Sequence, residues 1–377
     1  MAVSAGTSNL YFSRDTKVYL AQGSNIWEIP VLNGYAFGQS TNTSEVTLSE
    51  MSDSVGTSRR GRKVFTDSVA PAEWSFTTYV RPTLASAKVR AVEEALWANF
   101  VAANSYTAAT PAWASGVTIG ASALDFNFSA SNKTTLGEFD LYFVLGAANV
   151  TGRNYANDGD TTIYRIPKCS INEVSITFDI DGIASLAWSG MGNRRTEVAS
   201  FDASTAINIG VNTTDNFIRN RLTQLQIVSS VSGSSKTYNV TLTGGTITLT
   251  NNISYLTPET LGVVNAPLGH VTGTRTIGGS FTAYLDEQTN GTIDLTEDLG
   301  NATGIVTNSF ALDFYVGGKA AGDAPRSPGM QFKIPNAHLT IPAINVEDVV
   351  GVSIDFSALP STISGTDEVS KISYVAT

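Results

Sequence analysis

Apolar side chains recur at every second position over short stretches along most of this chain, the spacing of strands with one buried face. Residues 17–29 run Val18, Leu20, a Gln22-Gly23-Ser24-Asn25 turn, then Ile26 and Glu28, which predicts a hairpin. Residues 238–249 read the same way around Gly244-Gly245. Further strands are expected at 43–51, 74–80, 124–128 and 139–144, and again at 279–285 and 311–316. After Pro82 the spacing turns helical. Over 83–101, Leu84, Val89, Val92, Leu96 and Phe100 can share one face, with Glu93 and Glu94 away from it. A shorter helix is expected at 292–299.

Two of these stretches are near copies. Residues 164–189 align with 332–357 at a shift of 168 without a gap: Ile166-Pro167 recurs as Ile334-Pro335, Ile176 as Ile344, and Trp188 as Phe356. Five of 26 positions are identical, and most others keep size and polarity on alternate residues. Ser75-Phe76-Thr77-Thr78-Tyr79 likewise recurs as Ser280-Phe281-Thr282-Ala283-Tyr284. Hairpin, strand, Ser-Phe-Thr strand, helix, strand and Ile-Pro strand pair therefore occur twice in one order. This predicts a tandem duplication, residues 1–200 and 201–377, joined in the small and polar stretch 192–214. All five tryptophans precede the junction, so the copies have diverged.

Composition fits many strands joined by turns. Of the 377 residues 42% are hydrophobic and only 15% charged, the polar share coming from Ser, Thr, Asn and Gly. A single cysteine, Cys169, excludes an intrachain disulfide framework. No apolar run is long enough to span a membrane as a helix, and residues 1–14 lack the order of a signal peptide, so the chain is expected to be made in a cytosol. The net charge is −10. Residues 1–200 hold 15 Lys and Arg against 18 Asp and Glu, and 201–377 hold 8 against 15. Gripping nucleic acid phosphates would need the opposite sign, whereas letting DNA pass would not.

Catalytic and metal-binding patterns are sparse. His338 falls in an expected strand and His270 just before one, places where a structural histidine is the expectation. Cys169 takes the place of Ala337 in the other copy, which suits a small buried side chain. Asn157-Asp158-Gly159-Asp160 lacks the spaced ligands and distal Glu of a calcium loop and reads as a turn. No phosphate-cradling glycine loop or nucleophile elbow occurs, so neither an enzyme nor a cofactor is expected. The basic run Arg59-Arg60-Gly61-Arg62-Lys63 lies on the long polar loop 52–68 and suits either a solvated loop or docking on an acidic surface of a neighbouring copy.

Residues 35–51, the run Ala72-Glu73-Trp74-Ser75-Phe76-Thr77-Thr78-Tyr79-Val80-Arg81-Pro82 and residues 252–262 resemble the major tail tube proteins of tailed bacteriophages, best of all the double-domain kind of long-tailed phages. The resemblance implies a mainly β fold: two tandem tail-tube-like β-sandwich domains, each with a flanking α-helix. Their inner sheets would join into a closed β-barrel ring. It further implies a ring of three chains with pseudo-sixfold symmetry. Stacked rings would make a virion tube, assembled in the host cytoplasm, that conducts DNA from capsid to host without specific binding. A tape measure protein and a tail terminator are the implied partners. Arg59, Arg60, Arg62 and Lys63 would belong to the ring-stacking loop, and Glu45 and Glu50 are candidates for an acidic lumen. The alternatives are a contractile-machine tube, or a β-sandwich adhesin or carbohydrate-binding protein with Trp113 exposed in a loop.

Overall fold

The computed structural model describes residues 10–46, 63–102, 104–128, 135–210, 216–229, 235–256, 267, 269–301, 310–346 and 348–376. In the first half β1 (Thr16–Gln22), β2 (Asn25–Ile29), β3 (Ala36–Val46), β4 (Lys63–Tyr79), α1 (Glu94–Val101), β5 (Phe139–Leu145), β6 (Thr162–Phe178) and β7 (Ser185–Gly192) follow in order. The second half holds β8 (Gln224–Ser229), β9 (Lys236–Val240), β10 (Leu242–Thr250), β11 (Thr276–Tyr284), α2 (Thr292–Asn301), β12 (Phe310–Val316), β13 (Gly329–Leu339), β14 (Ala343–Val346), β15 (Val350–Ala358) and β16 (Lys371–Val375).

These strands build two layers. Outer sheets run β2-β1-β5-β6 in the first half and β9-β8-β12-β13 in the second. β16 pairs with β13 on one side and with the short strand Leu124–Asn127 of the first half on the other. The inner layer is one antiparallel sheet of eight strands, ordered β3-β4-β7-β6-β10-β11-β15-β14. β6 passes from one layer to the other, since residues 162–169 pair with β5 while 170–176 pair with β7. Between the layers lies one continuous apolar core that includes Leu20, Trp27 and Trp188 of the first half and Ile227, Tyr238 and Phe356 of the second.

Register relates the halves more closely than identity does. Where β5 meets β6, Phe139 faces Cys169 and, after a bulge, Leu141 faces Ile166. Where β12 meets β13, Phe310 faces Ala337 and, after a bulge at the same place, Leu312 faces Ile334. The ungapped match, however, fails beyond β6. Phe76 faces Trp188, but its counterpart Phe281 faces Ile354 rather than Phe356. The second hairpin is two residues shorter, and a slip of two leaves every side chain on its original face. Phe356 therefore stands where the first half has Gly190. Across the strand, Trp74 faces Gly190 while Gly279 faces Phe356, so the bulk has moved from one strand to its neighbour.

Three local expectations are corrected. The helix expected over 83–101 begins only at Glu94; Pro82–Ala85 and Lys88–Ala91 form a hairpin whose Ser86 and Ala87 both take positive φ (52° and 58°). Residues 238–249 are no hairpin: β9 pairs with β8 in one layer and β10 with β6 and β11 in the other. Gly245 is glycine because the chain approaches closely there, an added Cβ lying 2.7 Å from the Ser280 carbonyl oxygen. Glu93 and Glu94 do not face away but are fully buried. Arg90 holds Glu94 through Nε and Nη2 (2.5 and 2.8 Å), and the Trp113 indole N–H donates to it at 2.6 Å.

Candidate functional site

Alternation gives the eight-stranded sheet two unlike faces. One packs Trp74, Phe76, Val174, Ile176, Trp188, Ile247, Leu249, Phe281 and Ile354 into the core. The other carries Ala36 and Gly38 on β3, Glu73, Ser75 and Thr77 on β4, Ala187 and Ser189 on β7, and Glu173, Ser175 and Thr177 on β6. It continues through Thr246 and Thr248 on β10, Gly278, Ser280 and Thr282 on β11, and Ser353, Asp355 and Ser357 on β15, as cross-strand register requires. Its charges among these strand positions are the carboxylates of Glu73, Glu173 and Asp355; none is Lys or Arg. An open hollow of about 610 Å³ lies over β3, β4 and β7, lined by Ala36, Gly38, Ser75, Ser189 and Met191, so this face is concave there.

The sheet ends in two edges, β3 and β14. Every residue of β14 is exposed: Ile344 is 52% and Val346 79% accessible, with Ile341 at 68% just before and Val349 at 59% just after. Apolar groups in a row beside unpaired backbone form a template for another strand, which natural sheets otherwise blunt with charge or proline. Within the chain the matching edge is covered. β6 pairs with β10 from Glu173↔Thr250 to Phe178↔Gly245, and Ile176 there is 0% exposed.

α1 seals this internal seam, and all eight of its residues are buried. Trp97 meets Trp188 edge-on at 5.0 Å and Phe332 at 6.3 Å, and its indole N–H donates to the Tyr374 hydroxyl at 2.6 Å. α2 lies in the second half with Thr292, Leu295 and Leu299 buried, tied to β9 through Lys236 and Tyr238 on Asp298 (2.7 and 2.6 Å).

The residues singled out in the sequence fall in different places. Glu45 and Lys63 face the end of the β3–β4 ribbon, exposed and beyond residues 72–79, where β4 joins the eight-stranded sheet. Glu50, Arg59, Arg60 and Arg62 lie outside the described residues. Reading by strand alternation missed Glu73, Glu173 and Asp355, although their Ser/Thr neighbours at i±2 were the available signal. Trp113 is not exposed: it is buried and stacks on Trp27 with ring centres 5.4 Å apart. Cys169 is buried, its thiol directed at the Ile166 carbonyl at 3.2 Å and pushed well above its ordinary pKa by desolvation. His270 stands 3.5 Å from Glu138, and burial holds its pKa below the usual value. Among the described residues no three His, Cys, Asp or Glu side chains gather to hold a metal, and no helix is long and apolar enough to cross a membrane.

Residues 196–207, within the expected junction, pack against the first half. Thr196–Glu197 pairs with β6, Phe201 stacks on Tyr142 at 4.0 Å, and the Ile207 N–H donates to the Ile26 carbonyl at 2.7 Å. No protein-family model matches the chain. It is similar to the tail tube protein pb6 of Escherichia phage T5, with 30% identity over 376 residues, covering 96% of this chain and 75% of the relative.

Proposed function

The chain belongs to the tail tube proteins of tailed bacteriophages, and we propose that it builds the tube from closed rings whose inner wall is the polar sheet face. Its role is structural: it is a component of the virion tail and assembles with itself into the tube. Each chain contributes two tandem sandwich units, residues 1–200 and 201–377. Three chains close a ring with pseudo-sixfold symmetry, and rings stack into a conduit for DNA. A tape measure protein and a tail terminator serve as its assembly partners.

The observation that carries this reading is the face of Ser, Thr, Gly and Ala with Glu73, Glu173 and Asp355 as its charges. Where phosphates pass within one Debye length of the wall, about 8–10 Å, its carboxylates repel them without being screened away, and small neutral side chains offer DNA nothing to grip. On this reading the sheet face supplies the lumen wall, with Glu45 exposed further along the β3–β4 ribbon. The β3–β4 connection, with Arg59, Arg60, Arg62 and Lys63, is the ring-stacking contact. The adhesin reading loses its best residue with the burial of Trp113.

The test is imaging of purified protein by electron microscopy with symmetry determination, followed by DNA retention on the tubes. Wild-type tubes should show three chains per ring and an open pore, and should retain no DNA in low salt. Tubes of the Glu73→Lys, Glu173→Lys, Asp355→Lys variant should retain DNA in a salt-dependent way. A stable monomer at high concentration in every salt would sink the proposal.

A further inference from the structure

The structure contains one complete joint between sheet units, and it can be transposed onto the bare edges. The repeated registers fix the equivalences. With Ser75-Phe76-Thr77 set on Ser280-Phe281-Thr282, the β3–β4 and β10–β11 pairings place Phe37 on Ile247 and Gly38 on Thr248. The β4–β7 and β11–β15 pairings, followed through β6–β7 and β14–β15, place Ile176 on Ile344 and Ser175 on Ala343. The independent bulge match between Cys169 and Ala337 gives the same offset. β14 is thus the counterpart of the covered β6 edge, and β3 the counterpart of the strand that covers it.

Resting on the tube reading, we propose that β14 of one chain pairs antiparallel with β3 of a second copy of this chain in the register of the internal seam. Ser175 faces Thr248 inside the chain, so Ala343 faces Gly38 between chains. Ile176 faces Ile247, so Ile344 faces Phe37, and Asn345 faces Ala36. The surfaces suit this. Ile344, 52% exposed, would be covered as Ile176 is, against Phe37, whose ring already stacks on Phe143 at 4.1 Å. Pro342, without an N–H, suits the end of that pairing. Ala343 and Gly38 both lie on the polar face, where a Cβ added at Gly38 meets nothing within 4 Å. The two edges differ, so the contact is head-to-tail and repeats until it closes. Covalent pairing of the chains is possible at facing positions because opposed Cβ atoms in antiparallel strands lie about 4.5–5.5 Å apart.

Cysteines at paired positions test the register on assembled protein, with diamide as oxidant and buried Cys169 as the only native thiol. The double variant Gly38→Cys, Ala343→Cys should give species of two and three chains on a non-reducing denaturing gel. Gln39→Cys with Ala343→Cys, one residue out and on the opposite face, should stay monomeric. Ile344→Lys with Val346→Lys should leave a folded monomer and no rings. Tubes by microscopy in which Ala36→Cys or Ser40→Cys crosslinks with Ala343→Cys while Gly38→Cys does not would overturn the register. Tubes that crosslink at none of these pairs would overturn the β14–β3 joint while leaving the tube reading intact. A monomer that never assembles at wild-type sequence would end both.

Discussion

Ile176 and Ile344 hold the same place in their halves, on strands with the same bulge behind them, yet one is fully buried and the other half exposed. The difference lies in the neighbour. β6 has β10 alongside, supplied by the same chain, whereas among the described residues β14 pairs with β15 on one side and with no strand on the other. The helices repeat the contrast. α1 is enclosed by the seam between halves, with Phe332 and Tyr374 of the second half against Trp97, while α2 buries only three of its ten residues. Burial here is a property of position in a series of units, and the last unit of a chain lacks what the first already has.

One substitution made twice breaks this comparison most sharply. Ile176→Asp puts a carboxylate into the core beneath two paired strands and should destabilise the chain by at least about 4 kcal/mol, or prevent folding. Ile344→Asp sits in water in the monomer and should change stability by no more than about 0.5 kcal/mol. It should nevertheless abolish assembly. Urea unfolding and sedimentation of both variants supply the two readouts. Equal destabilisation would mean that the two strands are not equivalent.

How much of this was legible in the sequence varies with the kind of signal. The Ile-Pro strands declared the repeat because their alternation and bulge are tied to particular residues. The two-residue slip of β15 was hidden because a shift of two preserves alternation, so Trp188 and Phe356 matched in sequence while occupying different cross-strand sites. The Ser86-Ala87 turn was unreadable for a different reason: two-residue hairpins with positive φ ordinarily announce themselves with Asn or Gly. Without that mark, Val89 and Val92 read as helix. Gly244-Gly245 gave the opposite error, since glycine there serves close backbone approach rather than a turn. The polar face was within reach, because Ser, Thr and Gly at i, i+2 over six strands is itself a pattern. Assigning Glu73 and Glu173 to it required knowing which strands adjoin.

The internal seam also carries a buried carboxyl group. Glu93, at the start of α1, is fully buried, and desolvation pushes its carboxyl up to about 7, with the Tyr374 hydroxyl and the Arg81 guanidinium opposing the shift. The folded state therefore binds the proton more tightly than the unfolded chain, whose value is near 4.5. Its contribution is most favourable below about pH 4.5 and falls as pH rises to about 7. A shift of that size corresponds to about 3 kcal/mol. Glu93→Gln should flatten the stability profile between those pH values and gain relative to wild type at pH 8, as measured by urea midpoints at several pH values. An unchanged profile would remove Glu93 from the seam's energetics.

The smallest effect expected belongs to the open side. Asp298 on α2 accepts from Lys236 and Tyr238, which hold its carboxyl below the usual range, but the ion pair is 34% and 44% exposed at its two side chains. Water and salt screen such a pair, so Asp298→Asn should cost less than about 1 kcal/mol at neutral pH. A depressed carboxylate stabilises above its unfolded pKa and loses that contribution as pH falls through the folded value, so the variant and wild type should converge in acid. High salt should bring them together as well. If α2 is covered by a neighbouring unit in the tube, as α1 is within the chain, the same substitution should cost more in assembled tubes than in the monomer. Thermal dissociation of wild-type and Asp298→Asn tubes, set against monomer unfolding, measures that difference. Equal losses in both states would show that α2 remains outside the joint.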